Sequence, residues 1–241
     1  MSARYRPLVL CYHAVSDRWT HGLAVPPRAF ERQLQSVLGR GYQPAPLEVA
    51  LDPRAKGFHV TFDDAYRNVA AALPALERSR AHATVFACTG YADGGAPLRI
   101  PELADHVDRF PGELDTMDWD ALRALVERGV EVGSHTVSHA HLTRLGDDEL
   151  RRELTESKAR LEDELGRPCR YLAYPFGEDD ARVHAAAESA GYDAALSLRG
   201  DATGLDRFAL PRVDIYRKDT ALRFALKASP ALRAAALRLR G

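Results

Sequence analysis

The sequence is poor in cysteine and has no cysteine pair of the CxxC type. Its 3 cysteines, Cys11, Cys88 and Cys169, are odd in number and far apart along the chain. This pattern argues against a disulfide framework and fits a reducing compartment. Each cysteine lies in a short apolar run, which favours buried thiols that act as small hydrophobic side chains.

The sequence also lacks long apolar runs and an excess of charge of either sign. No stretch approaches the roughly 20 apolar residues of a membrane span. The N-terminal run Leu8–Cys11 is shorter than the signal-peptide core of about 7–15 residues. We therefore expect a cytoplasmic protein without a transmembrane segment. With 33 Lys+Arg against 34 Asp+Glu and a net charge of -1, we expect no nucleic-acid partner.

What the sequence does contain is a regular alternation of short apolar runs and helical segments. The predicted strands are Pro7–Tyr12, Phe58–Phe62, Ala83–Cys88, Val130–Ser134, Arg170–Tyr174, Asp193–Ser197 and Phe208–Ile215. The predicted helices are Arg28–Arg40, Ala65–Arg80, Trp119–Arg128, Asp147–Leu165 and Ala181–Ala190. This alternation predicts an α/β protein with a parallel sheet. Its strand count predicts a barrel just short of the eight-stranded (β/α) type, formed by residues 1–241 as one domain.

Two segments depart from the alternation. Residues 91–117 contain Gly94-Gly95 and predict a long loop with a short helix over Pro101–Arg109. Such a loop either shapes a binding site or is a passive surface insertion. From about residue 219 onward, basic residues among Ala and Leu predict a helical tail. A packing helix with a solvated basic face is favoured there over contact with an anionic membrane surface.

Chemically capable groups follow four of the predicted strands. They are His13, the pair Asp63-Asp64, the pair His135 and His139, and the turn Pro175-Phe176-Gly177. Because the carboxyl ends of the strands of a parallel barrel face one pocket, we expect these groups to lie close together.

Two imidazoles and one carboxylate form a usual ligand set for a divalent metal ion. His135 and His139 are four residues apart, so a helical turn would bring both nitrogens to one ion. Burying Asp63 and Asp64 side by side without a cation would be costly. The alternative is that these two residues cap and open the predicted helix Ala65–Arg80.

Three segments resemble the motifs of a known family. Thr61-Phe62-Asp63-Asp64, Ser134-His135-Thr136-Val137-Ser138-His139 and Tyr174-Pro175-Phe176-Gly177 resemble the polysaccharide deacetylases, the nodulation-protein-B homology domain of carbohydrate esterase family 4. The resemblance runs from about residue 5 to about residue 216. It implies a distorted (β/α)7 TIM-like barrel, with Asp63 as the general base and Asp64, His135 and His139 as metal ligands.

The sequence departs from the family pattern in two places. The usual arginine of the third motif, which braces the base, is missing, and either Arg170 or Arg212 could replace it. The usual Leu-x-His motif, which holds the general acid, is also missing. Tyr12-His13-Ala14-Val15 resembles the YHxV start of the poly-N-acetylglucosamine deacetylase branch, which implies that His13 is the acid.

The resemblance implies a hydrolase that removes the acetyl group of an N-acetylated sugar, of the N-acetylglucosamine type, to give acetate and a free amine. It implies one divalent ion, with zinc favoured and cobalt, nickel or manganese tolerated. A backbone N–H near Phe176 would stabilise the oxyanion, while Tyr174 and Trp19 are candidates for substrate contact. Hydrolysis of another amide on the same barrel and a non-catalytic sugar-binding module remain the alternatives.

Overall fold

The computed structural model describes residues 8–52, 56–198, 206–230 and 232–233. The strands are β1 (Leu8–Tyr12), β2 (Ala14–Val15), β3 (Ala24–Val25), β4 (Gln43–Pro44), β5 (Gly57–Phe62), β6 (Ala83–Ala87), β7 (Glu131–Ser134), β8 (Tyr171–Ala173), β9 (Ala194–Ser197), β10 (Leu210–Pro211) and β11 (Val213–Asp214). The α-helices are α1 (Pro27–Gly39), α2 (Leu47–Ala50), α3 (Leu73–Ser79), α4 (Ala104–Arg109), α5 (Trp119–Glu127), α6 (Asp147–Leu165), α7 (Ala181–Ser189) and α8 (Ala221–Lys227).

Parallel strands form a nearly closed barrel in the order β10-β9-β8-β7-β6-β5-β1-β11, and β4 pairs with β5. The predicted strand Phe208–Ile215 is interrupted at Arg212. Its first half, β10, pairs with β9, and its second half, β11, pairs with β1. One chain segment therefore bridges both ends of the sheet. The predicted (β/α)7 barrel is confirmed.

The predicted helices match the structure except for one. Helix α6 has the predicted bounds, buries Leu150, Leu154 and Leu161, and ends at Gly166, whose φ of 62° suits a glycine. The predicted helix Ala65–Arg80 is wrong in its first half, which is a turn followed by a 3₁₀ helix over Arg67–Ala72. Pro74 explains the break, because a residue without an N–H fits the first turn of α3 and not a helix interior.

Three buried apolar clusters hold the barrel together. Side chains inside the barrel, such as Val9, Phe86 and Leu196, form one buried cluster, and a larger one lies between strands and helices. The third cluster joins Trp19 to residues of the irregular segment 91–117, including Leu103. That segment contains a 3₁₀ helix over Pro101–Leu103 followed by α4, which together match the predicted short helix.

The described residues also bear on the predictions for the cysteines, the helical tail and membrane-spanning segments. All three cysteines are buried, and burial raises the pKa of Cys169 to about 12. Helix α8 buries Phe224, as a packing helix should, while Leu222 is 70% exposed. Within the described ranges no helix is long and apolar enough to cross a bilayer. Pro7 and the end of the predicted tail lie outside those ranges.

Candidate active site

The groups that follow the strands converge on one cavity of about 250 Å³ at the carboxyl ends of the strands. The predicted residues that line it are His13, Asp63, Asp64, His135, His139 and Phe176. Segment 91–117 contributes Ile100, Glu102 and Leu103 to the same cavity, so it shapes the site and is not a passive insertion.

Asp64, His135 and His139 each point one ligand atom at a common centre. Asp64 Oδ1 lies 3.5 Å from His135 Nε2 and 3.2 Å from His139 Nε2, and all three side chains are buried. The three ligand atoms lie within 4.8 Å of one another. This arrangement brings together the three residues that the sequence nominates as metal ligands.

The electrostatics of the three residues suit a cation between them. His135 Nδ1 donates to the carbonyl oxygen of Ala173 at 2.8 Å, which leaves the lone pair on Nε2. Burial lowers the pKa of His135 to about 4, so the ring is neutral at neutral pH. Asp64 Oδ1 is buried and accepts no hydrogen bond of good geometry. A lone pair and an anionic oxygen that face each other without a proton between them fit a divalent ion.

His139 is protonated more easily than His135. Burial alone would lower the pKa of His139, but the Asp64 carboxylate beside it more than offsets this and raises the pKa. In the same way, burial would raise the pKa of Asp64, whereas the His139 ring lowers it. Each group stabilises the charged form of the other.

A helical turn is not what brings the two histidines together. Residues 135–141 form a loop in which Thr136 has a φ of 71° and His139 a φ of 61°. Such conformations cost a non-glycine residue about 1–3 kcal/mol each and are found mainly at functional sites. Two hydroxyl groups support the loop: Ser134 Oγ accepts from the Thr136 N–H, and Thr136 Oγ1 accepts from the His139 N–H.

Asp63 is held by a buried arginine rather than by a metal triad. Arg212 donates to both carboxylate oxygens of Asp63, at 2.6 Å and 2.8 Å, and both residues are buried. Burial alone would raise the pKa of Asp63, but the guanidinium charge more than offsets this and keeps the pKa well below its usual range. The bidentate pair keeps Asp63 ionised and fixes its orientation.

Of the two arginines considered from the sequence, Arg212 is therefore the one that braces Asp63. Arg170 lies on the surface and pairs with Asp193 and Glu48. The sequence could not separate them, because the position of Arg212 depends on the break between β10 and β11.

The proposed capping role of Asp63 and Asp64 is wrong. The 3₁₀ helix begins at Arg67 and α3 at Leu73, and neither has a side-chain cap. Asp64 instead has a φ of 70°, which turns the chain sharply at the end of β5. The carboxylates therefore face the cavity.

His13 follows β1 and borders the same cavity as the loop histidines. Its Nδ1 is buried and has no hydrogen-bond partner within the described residues. An imidazole that borders a cavity and has a ring nitrogen without an internal partner can exchange a proton with a bound molecule.

Two predicted substrate contacts are wrong. Trp19 is fully buried and donates from Nε1 to His106 Nδ1 at 3.2 Å, so it supports the wall of the site from behind. Tyr174 is also fully buried, and its hydroxyl donates to the carbonyl oxygen of Phe208. Each residue belongs to a buried hydrophobic cluster, which the sequence pattern of an isolated aromatic residue does not reveal. Phe176 does line the cavity, and its ring stacks on His141 with centroids 3.8 Å apart.

A larger cavity of about 530 Å³ lies at the other end of the barrel, near the amino ends of β6 and β7. One buried residue at its edge is His59, whose ring nitrogens lie 2.8 Å from the Ala45 carbonyl oxygen and 2.9 Å from Thr84 Oγ1. His59 is therefore a satisfied core histidine, as expected from its place inside a strand. None of the triad residues Asp64, His135 and His139 lines it.

Residues 50–195 match the model of the polysaccharide deacetylase family. Among curated relatives, YxkH of Bacillus subtilis (strain 168) is 25% identical over 217 residues, which cover 86% of this chain and 70% of the relative. The crystal structure of BC0361, a polysaccharide deacetylase from Bacillus cereus, is 25% identical with a TM-score of 0.74, over 92% of this chain and 68% of that chain.

The fold is also shared with more distant structures. The deacetylase PplD of Streptococcus pyogenes, in complex with acetate, has a TM-score of 0.76 at 21% identity and covers 93% of this chain and 98% of its own. Because the family model matches more than half of the chain, this chain belongs to the polysaccharide deacetylase family and is a carbohydrate deacetylase of the hydrolase class.

Proposed function

We propose that this chain is a divalent-metal-dependent deacetylase that hydrolyses the acetamide of an N-acetylated sugar, of the N-acetylglucosamine type, to acetate and a free amine. The observation that carries the proposal is the placement of an arginine-braced carboxylate beside a carboxylate–histidine–histidine triad. Asp63 and Asp64 are neighbours in the chain, yet Asp63 pairs with Arg212 while Asp64 faces the two imidazoles.

Asp64, His135 and His139 would hold the ion, for which zinc is the favoured identity. When bound, a divalent ion there supplies a Lewis acid that lowers the pKa of water and polarises a carbonyl oxygen. His135 is presented as a neutral ligand by the Ala173 carbonyl, which fixes its tautomer.

Asp63 is proposed to take the proton from the attacking water. Arg212 keeps the carboxylate ionised, and Oδ1 accepts from Arg212 while retaining a second lone pair. This arrangement supports a base whose orientation is fixed before the substrate binds.

His13 is proposed to donate a proton to the departing amine nitrogen. It borders the same cavity as Asp63, and its unpartnered Nδ1 supports such a role. The backbone around Phe176 borders the cavity as well, and its proposed part in stabilising the oxyanion stays a prediction.

The N-acetylglucosamine type of substrate is supported by the YHxV-like segment Tyr12–Val15 alone. A cavity of about 250 Å³ has room for a single sugar ring, so a monosaccharide, the end of an oligomer or a lipid-linked sugar fits it best. The predicted cytoplasmic location would favour such small substrates over exported polymers. Cell fractionation with an antibody against the chain tests the location.

The proposal is tested by incubating the zinc-loaded protein with a panel of N-acetylated sugars, their oligomers and small non-sugar amides. Mass spectrometry should detect the loss of one acetyl group from at least one N-acetylated sugar. Release of acyl groups only from non-sugar amides would support the alternative amidase. Sugar binding without acetate release would support a non-catalytic module.

A further inference from the structure

The loop that carries both histidine ligands is anchored to helix α6 by a carboxylate that the proposed mechanism does not use. Glu153 Oε2 accepts from the backbone N–H groups of Val137 and Ser138, at 2.8 Å and 3.0 Å. Its Oε1 accepts from Ser138 Oγ at 2.6 Å. Hydrogen bonds to an ionised acceptor are about twice as strong as neutral ones. Glu153 therefore binds the middle of the loop at three points.

The same face of α6 also holds the beginning of the loop. Ser157 lies one turn beyond Glu153, and its Oγ is 2.8 Å from Ser134 Oγ. Ser134 Oγ in turn accepts from the Thr136 N–H. Helix α6 thus contacts the loop between the two ligands and directly before the first of them.

The loop needs such an anchor because its backbone is in a sparsely populated conformation. Thr136 and His139 both have positive φ, which a free loop would tend to leave. A change of φ at His139 would turn its ring away from Asp64, because the side chain leaves the backbone at that residue. The N–H groups that Glu153 binds lie between these two strained residues.

We propose that Glu153 is a positioning residue for the metal: it fixes the His135–His139 loop in the conformation that presents both imidazoles to Asp64. Glu153 does not belong to the triad. This inference rests on the metal site of the proposed function. It adds a residue from a separate helix, 14 positions after the second ligand, to the set that determines metal affinity.

Two variants and one matched control test the inference. Glu153→Ala removes all three hydrogen bonds. Glu153→Gln keeps an oxygen for the backbone N–H groups and loses the charge. Glu156→Ala is the control, because Glu156 is an exposed glutamate on the same helix. Each protein is stripped of metal, and its affinity for Zn²⁺ is measured by competition with a chelator. Amide hydrogen exchange of residues 135–141 is measured in the metal-free state.

We expect Glu153→Ala to bind Zn²⁺ about 10–100-fold more weakly than the control, as is usual when a residue that orients metal ligands is removed. Exchange in the loop should become faster before any metal is added. Glu153→Gln should fall between the two, with at least a 3-fold loss, and it carries the test if Glu153→Ala does not fold.

The inference is overturned if both Glu153 variants bind Zn²⁺ as tightly as Glu156→Ala, or if loop exchange is the same in all three proteins. The proposed function and this inference can fail separately. If the unaltered chain binds no divalent ion, the metal site itself is refuted. Unchanged loop exchange in the Glu153 variants would then still refute the anchor independently.

Discussion

At the scale of single residues, two adjacent aspartates have opposite surroundings. Asp63 is paired with a guanidinium, whereas Asp64 faces two imidazoles. The motif in the sequence predicts that the two carboxylates differ in role, but only the structure shows which side chains each one faces. Arg212 is distant in sequence and lies in a break between two short strands, so no spacing rule could assign it.

We predict that Arg212→Met destabilises the protein by about 3–5 kcal/mol, because it leaves the buried Asp63 carboxylate without a partner. The free energy of unfolding in urea at pH 7 measures this cost. In the double variant Arg212→Met/Asp63→Asn the charge is gone as well, so the cost should be clearly smaller. An equal cost in both variants would show that the pair does not compensate a buried charge.

A second residue-level prediction concerns the acid. His13→Ala should lower kcat by about 10²–10⁴-fold, the usual contribution of a general acid, and leave the zinc content unchanged. His82→Ala is the control, since His82 is an exposed histidine outside the active-site cavity. If His13→Ala turns over substrate at the control rate, the acid is another group.

At the scale of elements, regular patterns predict bounds well and irregular backbone poorly. Helix α6 agrees with its predicted bounds because its leucines recur at helical spacing and Gly166 ends it. The short strands β2 and β3 are missed because two residues carry no periodicity. The conformation of the loop between His135 and His139 was not predictable for a related reason: the spacing of two histidines does not encode the positive φ of Thr136.

Gly133 in β7 tests how tightly the barrel is packed. A Cβ on Gly133 in β7 would lie 2.5 Å from the Phe86 ring and 2.9 Å from the Tyr171 carbonyl oxygen. Gly133→Ala should therefore destabilise the barrel by about 1–3 kcal/mol, as other overpacked interiors do. The midpoint of urea unfolding measures it.

Gly39→Ala is the matched control, because a Cβ there has no neighbour within 4 Å and lies at the end of α1. Its stability should be unchanged or slightly higher. Equal stability of both alanine variants would mean that the barrel interior at β7 can expand without strain.

At the scale of the whole molecule, the barrel keeps the buried His59 neutral. Burial lowers the pKa of His59 to about 4, whereas an unfolded chain holds histidine near 6.5. Between these two values the unfolded state binds a proton that the folded state does not, so stability falls as the pH is lowered from about 6.5 to 4. The full loss from this residue is about 3 kcal/mol.

Thermal unfolding of the metal-free protein at pH 7 and pH 5 checks this prediction. The Tm should drop on acidification, and the drop should be smaller in His59→Asn, which has no group that titrates in this range. Identical drops in both proteins would place the acid sensitivity in other groups, such as His135.

The architecture of the whole molecule was largely predictable, and the walls of its site were not. The alternation of short apolar runs and helical segments predicts the barrel. The barrel in turn predicts the convergence of His13, Asp63 and His135, because parallel strands share one carboxyl edge. Segment 91–117 carries no periodic pattern, so its contribution of Ile100 and Glu102 to the cavity depends on packing that only the folded chain shows.

The most direct test of the central claim is the release of acetate from N-acetylglucosamine and its oligomers by the purified chain before and after removal of metal. We expect acetate and free amine in equal amounts, loss of the reaction after treatment with a chelator, and its return when zinc is added. Acetate release that survives complete metal removal would contradict the claim. So would a zinc-loaded protein that releases acetate from none of these sugars.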